Sequence, residues 1–131
     1  TGVQLEAGTT ASDFEFLPYD VNLQRCQRYY QKTFAYATKP AQNISAGNLI
    51  VNIVAGGNAD SRGGYLFPVE MRAAPTITTF NPFATNSSFR KPNSSTDIAV
   101  SGETHPNFVN FAAVGSGTMS LHGHFTVEAE I

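Results

Sequence analysis

Tryptophan is absent, cysteine occurs once, at Cys26, and charge is sparse: eight Lys and Arg against ten Asp and Glu leave a net charge of −2. A lone thiol has no partner for an intrachain disulfide, so the small secreted scaffolds held by disulfides are excluded. A nucleic-acid duplex or an anionic membrane surface calls for a basic stripe, and none is present, so no nucleic-acid partner is expected. No apolar run approaches the roughly 20 residues a membrane-spanning helix needs, and no signal-peptide pattern appears. Membrane insertion is therefore not expected either. The chain opens on Thr1 rather than Met, as expected of a processed product or a fragment.

What the chain does contain points to β structure. Its 131 residues suit one domain able to bury a core. Eleven Gly and seven Pro stand among abundant Asn, Ser and Thr, with ten Phe and five Tyr. Turn formers mixed with β-branched and aromatic residues make many short strands, and Glu, Lys and Leu are too few for a helical bundle.

Along the chain, Val3 to Glu6 and Asp13 to Phe16 read as short extended pieces ended by Gly8 and Pro18. One helical turn is expected from Asp20 to Arg25, with Asp20 as N-cap. Cys26 to Phe34, carrying Tyr29-Tyr30, reads as a strand, and a helix running on through it is the competing reading. Leu49 to Val54 is a nearly unbroken apolar run, expected to be a strand buried on both faces. Tyr65, Phe67, Val69 and Met71 alternate with Glu70 and Arg72, although Pro68 demotes that strand to an edge or a bulge. Thr76 to Phe80 is strand-like, Asn81 to Thr96 reads as a long surface loop, and Ile98 to Val100 and Phe108 to Val114 are further strands.

The end of the chain has the clearest period. Leu121, Phe125, Val127, Ala129 and Ile131 share one face, and His122, His124, Thr126, Glu128 and Glu130 the other, as in a half-buried antiparallel strand. The sum is an all-β antiparallel sandwich of jelly-roll type, with roughly eight to nine strands and at most one short helical turn. No internal repeat or linker divides it.

Four blocks also resemble a known family. Val3-Gln4-Leu5-Glu6-Ala7-Gly8, with Ala11 and Phe14-Glu15, resembles the junction in bacteriophage tail-fibre proteins where a carbohydrate-binding repeat meets the terminal domain. Leu23-Gln24-Arg25-Cys26-Gln27-Arg28-Tyr29-Tyr30 is similar to the opening of that terminal domain. Phe67-Pro68-Val69-Glu70-Met71-Arg72, with Pro75-Thr76, resembles its central strands, and Phe125 to Ile131 its last one. The resemblance, to the C-terminal receptor-binding domains of tail fibres and tailspikes, covers nearly the whole chain. It implies a junction over residues 1–18 and a jelly-roll domain over 19–131. It also implies a homotrimer, a place at the tip of the virion's tail, and binding to bacterial surface polysaccharide or lipopolysaccharide. The loops match no family motif, so glycan specificity is not carried over. A domain that only caps and trimerises a longer fibre or depolymerase is the alternative.

Candidate site residues follow from chemistry. Sugars are held by aromatic faces, with amides and charged groups meeting the hydroxyls. Phe83, Asn86, Phe89, Arg90 and Lys91 offer that mixture in one loop, and Tyr36 in another. The plainer reading is that Phe83 and Phe89 only pin a loop. His122 and His124, on one strand face, could ligate a metal or, in a trimer, contribute to a cage of six imidazoles. The plainer reading there is hydrogen bonding on a solvated or subunit-facing side, and His105, before Pro106, has no assigned role.

Asp60, Glu70, Glu103, Glu128 and Glu130 could in principle include a glycosidase pair, two carboxylates held roughly 5 to 10 Å apart in a cleft. Glu128 and Glu130, however, sit on a terminal strand, where outward acids usually just face water. No nucleophile motif surrounds Ser61 or Cys26, so neither catalysis nor a cofactor is expected. Ala55-Gly56-Gly57 and Arg62-Gly63-Gly64 lack the Lys-Ser/Thr ending of a phosphate loop and read as a hairpin connection. Sequons at Asn43, Asn86 and Asn93 carry no glycan in a phage protein.

Overall fold

Residues 7–10, 16–53, 61–113 and 118–130 are described in the computed structural model of the chain. The expected pieces at Val3 to Glu6 and over residues 13–15, the Gly56-Gly57 turn and Ile131 lie outside them. Two antiparallel sheets of six and three strands face each other, so the expected all-β sandwich is the fold found.

The element on which the larger sheet is organised is β9, Met119–Glu128. Its C-terminal half pairs with β1 (Tyr30–Lys32) and with β4 (Thr76–Phe80). Its N-terminal half pairs with β2 (Leu49–Ile53) and meets β5 (Phe89–Arg90) at His122. β6 (Asp97–Ile98) adds to β5. The smaller sheet places β8 (Phe108–Ala113) between β3 (Ser61–Leu66) and β7 (Val100–Thr104).

Alternation decides the core. Leu121, Phe125 and Val127 of β9 point inward and meet Val109, Phe111 and Ala113 of β8, all at most 3% exposed. Phe89 stands between them: its ring centroid lies 5.2 Å from that of Phe111. On its other side it lies over Gly123, where an added Cβ would stand 2.2 Å from the ring. Glycine is what lets Phe89 fill the centre of the sandwich. Each aliphatic or aromatic side chain so buried contributes roughly 1.5–3 kcal/mol.

Several expectations are corrected. The helix, α1 (Tyr19–Gln27), runs for nine residues, with Pro18 at the N-cap and no side-chain cap bond. Proline presets the backbone angle for entry, and Asp20 sits inside the first turn, where its charge meets the positive helix end. Only Tyr30–Lys32 of the expected Cys26–Phe34 strand joins the sheet. β2 is half-buried rather than buried on both faces: Val51 and Ile53 face inward, while Ile50 is 54% exposed.

After Leu66 the chain leaves its ladder. Phe67 and Met71 remain buried, as their spacing predicts, but their amides donate to the carbonyls of Asn107 and Pro106. Pro68, without an N–H, cannot continue a ladder. The expected loop from Asn81 to Thr96 contains β5, and Asn81 and Pro82 within it are buried.

Two segments fold over the outer face of the larger sheet. Residues 33–48 join β1 to β2, and residues 81–88 join β4 to β5. They meet at Asn81, whose amide donates to Gln42 Oε1 at 2.7 Å while its carbonyl accepts from the Asn43 amide at 2.8 Å. Asn43 adopts a φ of 63°, a left-handed conformation that asparagine tolerates. The face of β9 read as solvated is therefore covered at its middle: His124 is 0% and Thr126 is 6% exposed.

Candidate ligand-binding cleft

The residues proposed from sequence separate into two places. Phe83, Asn86, Phe89, Arg90 and Lys91 do lie together, but most of their chemistry is turned inward. Phe89 is 0% exposed and belongs to the core, so no sugar can stack on it. Arg90 grips Asp97 through two bonds, Nε to Oδ1 at 2.6 Å and Nη2 to Oδ2 at 3.0 Å. Asn86 donates to the same carboxylate at 2.7 Å and accepts from Asn81 Nδ2 at 2.8 Å. The Arg90 guanidinium, and then Asn86, hold the Asp97 carboxyl well below the usual carboxylate range. Arg90 also lies 5.9 Å from the centre of the half-exposed Phe83 ring. The Lys91 amide closes the next turn on the Thr96 carbonyl at 3.0 Å. The cluster fastens the 81–98 segment to the sheet and leaves only Phe83 with a free ring edge.

Tyr36 lies elsewhere, on a cleft of about 640 Å³ beside β1. The cleft arises because β1 is short. After Lys32 the chain leaves the ladder for residues 33–48 and resumes strand pairing with β9 at Leu49, opposite Gly123. Phe125 and Tyr65 form the floor of the gap, Leu23, Cys26 and Gln27 of α1 one wall, and Phe34, Tyr36 and Gly47 the other. This is the size of pocket that holds small ligands.

Its rim carries hydrogen-bonding groups beside aromatic faces. Tyr36 is 69% and Tyr30 38% exposed. The Tyr36 hydroxyl accepts from Gln27 Nε2 at 3.2 Å and keeps its own proton to donate. Burial, and next the charge of Glu128, push the Tyr30 phenol up, so it too stays a donor at neutral pH. Lys32 Nζ ties the wall together by donating to the carbonyls of Tyr36 and Thr38 at 2.9 and 2.8 Å, with a third N–H left. Gln31, on the inner side of β1, donates to the carbonyls of Gln27 and Val69 and so fixes the helix end.

Sequence reasoning found Tyr36 but not Tyr30, Gln27 or Lys32. Tyr30, expected from sequence in the core or at a subunit interface, is set on the rim by the brevity of β1. No described carboxylate lines the cleft. Asp60 lies outside the described residues, and Glu103 sits by His105, 3.9 Å away.

His122 and His124 do share a face, as their spacing implies, but His124 is sealed within its own chain. The Phe34 ring stacks on it at 4.1 Å, and the Thr33 hydroxyl lies 2.9 Å from its Nδ1. A cage of imidazoles between subunits would need that ring to face outward, which corrects the expectation for His124. Among the described residues no group of three or more His, Cys, Asp or Glu is placed to hold a metal. No described helix is long and apolar enough to cross a membrane. Comparison with family models, curated proteins and solved structures finds no match to this chain.

Proposed function

We propose that the domain is a non-catalytic receptor-binding module that takes a segment of bacterial surface polysaccharide or lipopolysaccharide into the cleft beside β1. One observation carries the reading: Tyr30 and Tyr36 flank an open hollow with an apolar floor, and hydroxyl, amide and ammonium groups line its rim. Pyranose rings offer an apolar face to tyrosine and hydroxyls to such groups. The four sequence blocks support a place at the tip of a phage tail fibre or tailspike, working as a homotrimer. Three modest sites on one rigid tip gain avidity without any single tight site.

The test is titration of the protein with host polysaccharide, together with Tyr30→Ala and Tyr36→Ala variants. Loss of one stacking ring removes roughly 0.5–1.5 kcal/mol, or about two- to tenfold in single-site affinity. Unchanged binding by the folded double variant overturns the cleft reading. Sedimentation at micromolar concentration reads the trimer, and release of reducing ends from the polysaccharide would contradict a non-catalytic role.

A second reading, a capping and trimerisation domain with no ligand, is favoured by α1. None of its side chains is buried: Tyr19 within it is 79% exposed, and Phe16 and Tyr29 beside it are 89% and 47% exposed. Apolar surface of this kind marks contact sites. Loss of the trimer in Tyr19→Ser, with polysaccharide binding absent in both proteins, favours that reading over the first.

A further inference from the structure

Among the described residues, His124 is the only buried ionisable side chain. The segment that buries it is the one that walls the cleft: Thr33 and Phe34 touch its ring and, with Ala35, Tyr36 and Gly47, line the hollow. Thr33 is bonded to β9 three times over. Its amide donates to the Phe125 carbonyl at 3.1 Å, its hydroxyl oxygen accepts from the Phe125 amide at 3.1 Å, and that hydroxyl lies 2.9 Å from His124 Nδ1. The hydroxyl has one proton, and the Phe125 carbonyl, at 3.3 Å, is its more distant acceptor. Donation to Nδ1 puts the proton of the neutral ring on Nε2. Nε2 is buried without a hydrogen-bond partner, facing the main chain at Ile44 and Ala46 of the same segment.

A second proton on this ring has nowhere to be neutralised. On the elements packed around it the charged groups are Lys32 of β1, turned to the Tyr36 and Thr38 carbonyls, and Arg90 of β5, locked to Asp97. His122 lies two residues along β9, and Lys39 of the covering segment is exposed. β2 and β4 contribute no charge there, only Leu49 to Ile53 and Thr76 to Phe80. In the cation Nδ1 carries a proton, so the Thr33 hydroxyl can only accept from it and must give its own proton to the Phe125 carbonyl 3.3 Å away. The Thr33 hydroxyl oxygen and the main chain at Ile44 and Ala46 are the polar groups left to the cation, and none of them carries a charge. Water reaches the ring only if residues 33–48 lift.

We propose that neutral His124 latches residues 33–48 onto β9, and that its protonation in mild acid releases them, loosening the cleft wall and whatever the cleft holds. The ligand half of this rests on the cleft being a binding site; the latch does not. Burial lowers the ring's pKa below its ordinary value, and the main chain at Ile44 and Ala46 offsets this only in part. The released ring titrates near 6.5. The closed wall is therefore favoured in full above about pH 6.5 and loses ground as pH falls below it.

The experiment uses the full chain. Histidine NMR titration follows His124, and hydrogen exchange follows the Thr33 and Asn43 amides at about pH 7.5 and about pH 5, corrected for intrinsic rates. The expected result is a His124 pKa below 6.5 and a roughly tenfold loss of protection over residues 33–48 in acid. His124→Gln abolishes that pH dependence, while His122→Gln and His105→Gln retain it. A wild-type pKa at or above 6.5, or protection unchanged by acid, overturns the latch even if His124→Gln fails to fold. Host polysaccharide, titrated at both pH values, separates the two readings. Acid release of the segment with no polysaccharide bound at either pH overturns the cleft reading and upholds the latch. Weaker binding in acid by wild type, but not by His124→Gln, supports both.

Discussion

Replacing Gly123 with alanine sets two physical rules against each other. In an ordinary strand the change restricts the unfolded chain and improves stability by roughly 0.5–1 kcal/mol. Here the added Cβ would stand 2.2, 2.2 and 2.5 Å from three atoms of the Phe89 ring. Gly123 lies on β9 with Leu49 of β2 opposite it, and the next residue of β9 pairs with Phe80 of β4, so the strand has little freedom to shift. Phe89 is 0% exposed and backed by Phe111, so its ring cannot swing clear without opening the core. Overpacking typically costs 1–3 kcal/mol, and a clash at three ring atoms belongs at the upper end, about 3 kcal/mol. At this chain length that is roughly 12 °C in Tm. Urea unfolding followed by circular dichroism measures it, with Phe89→Leu as the partner in a double-mutant cycle. Coupling of about 1–2 kcal/mol between the two sites is expected, because the smaller side chain makes room for the new methyl. A neutral or more stable Gly123→Ala protein, or strictly additive effects, would refute the packing derived for this site.

Truncating the two phenylalanines of the former candidate loop gives opposite results: Phe89→Ala loses about 3–5 kcal/mol as a core deletion, and half-exposed Phe83→Ala under about 1 kcal/mol, both read by denaturant titration. Equal losses would contradict their placement. Asp97→Asn removes the anion that holds Arg90 and Asn86, so its Tm falls at neutral pH. Because the folded carboxyl titrates below its unfolded value near 3.9, the deficit relative to wild type shrinks as pH drops through the acid range. A deficit constant between about pH 7 and pH 3 would argue against the ion pair.

Period-two alternation in one strand is a local signal, and what it encodes was legible. Leu121, Phe125 and Val127, and likewise Phe67 and Met71, are inside as their spacing implies. What covers the opposite face is not local. His124 and Thr126 read as solvated because the groups that bury them lie far along the chain, with Phe34 ninety residues before His124. For the same reason the 81–98 segment looked like a glycan loop. Its Phe, Arg and Asn are the residue types a sugar site needs, and also those that pin a loop. The partner that decides between them, Asp97 at the far end of that segment, carries no signal at the sequence level. The cleft combines α1, β1, the 33–48 segment and Tyr65, so no single stretch announces it. Burial of Leu49 to Val54 on both faces follows from a short, β-branched and nearly unbroken apolar run, and it fails at Ile50 because the larger sheet has an open outer surface there.

The position of β9 in the chain governs how the protein can be made. β1, β2, β4 and β5 all emerge from the ribosome ahead of Met119, and each takes hydrogen bonds from the strand that begins there. Until residues 119–128 arrive, β1, β2 and β4 lack their ladder partner and β5 has only β6, which leaves exposed strand edges of the kind that aggregate or recruit chaperones. Assembly of the larger sheet therefore waits for residues 119–128, and its long-range pairings make the step slow. A message cut short before Met119 would yield a product unable to form that sheet at all.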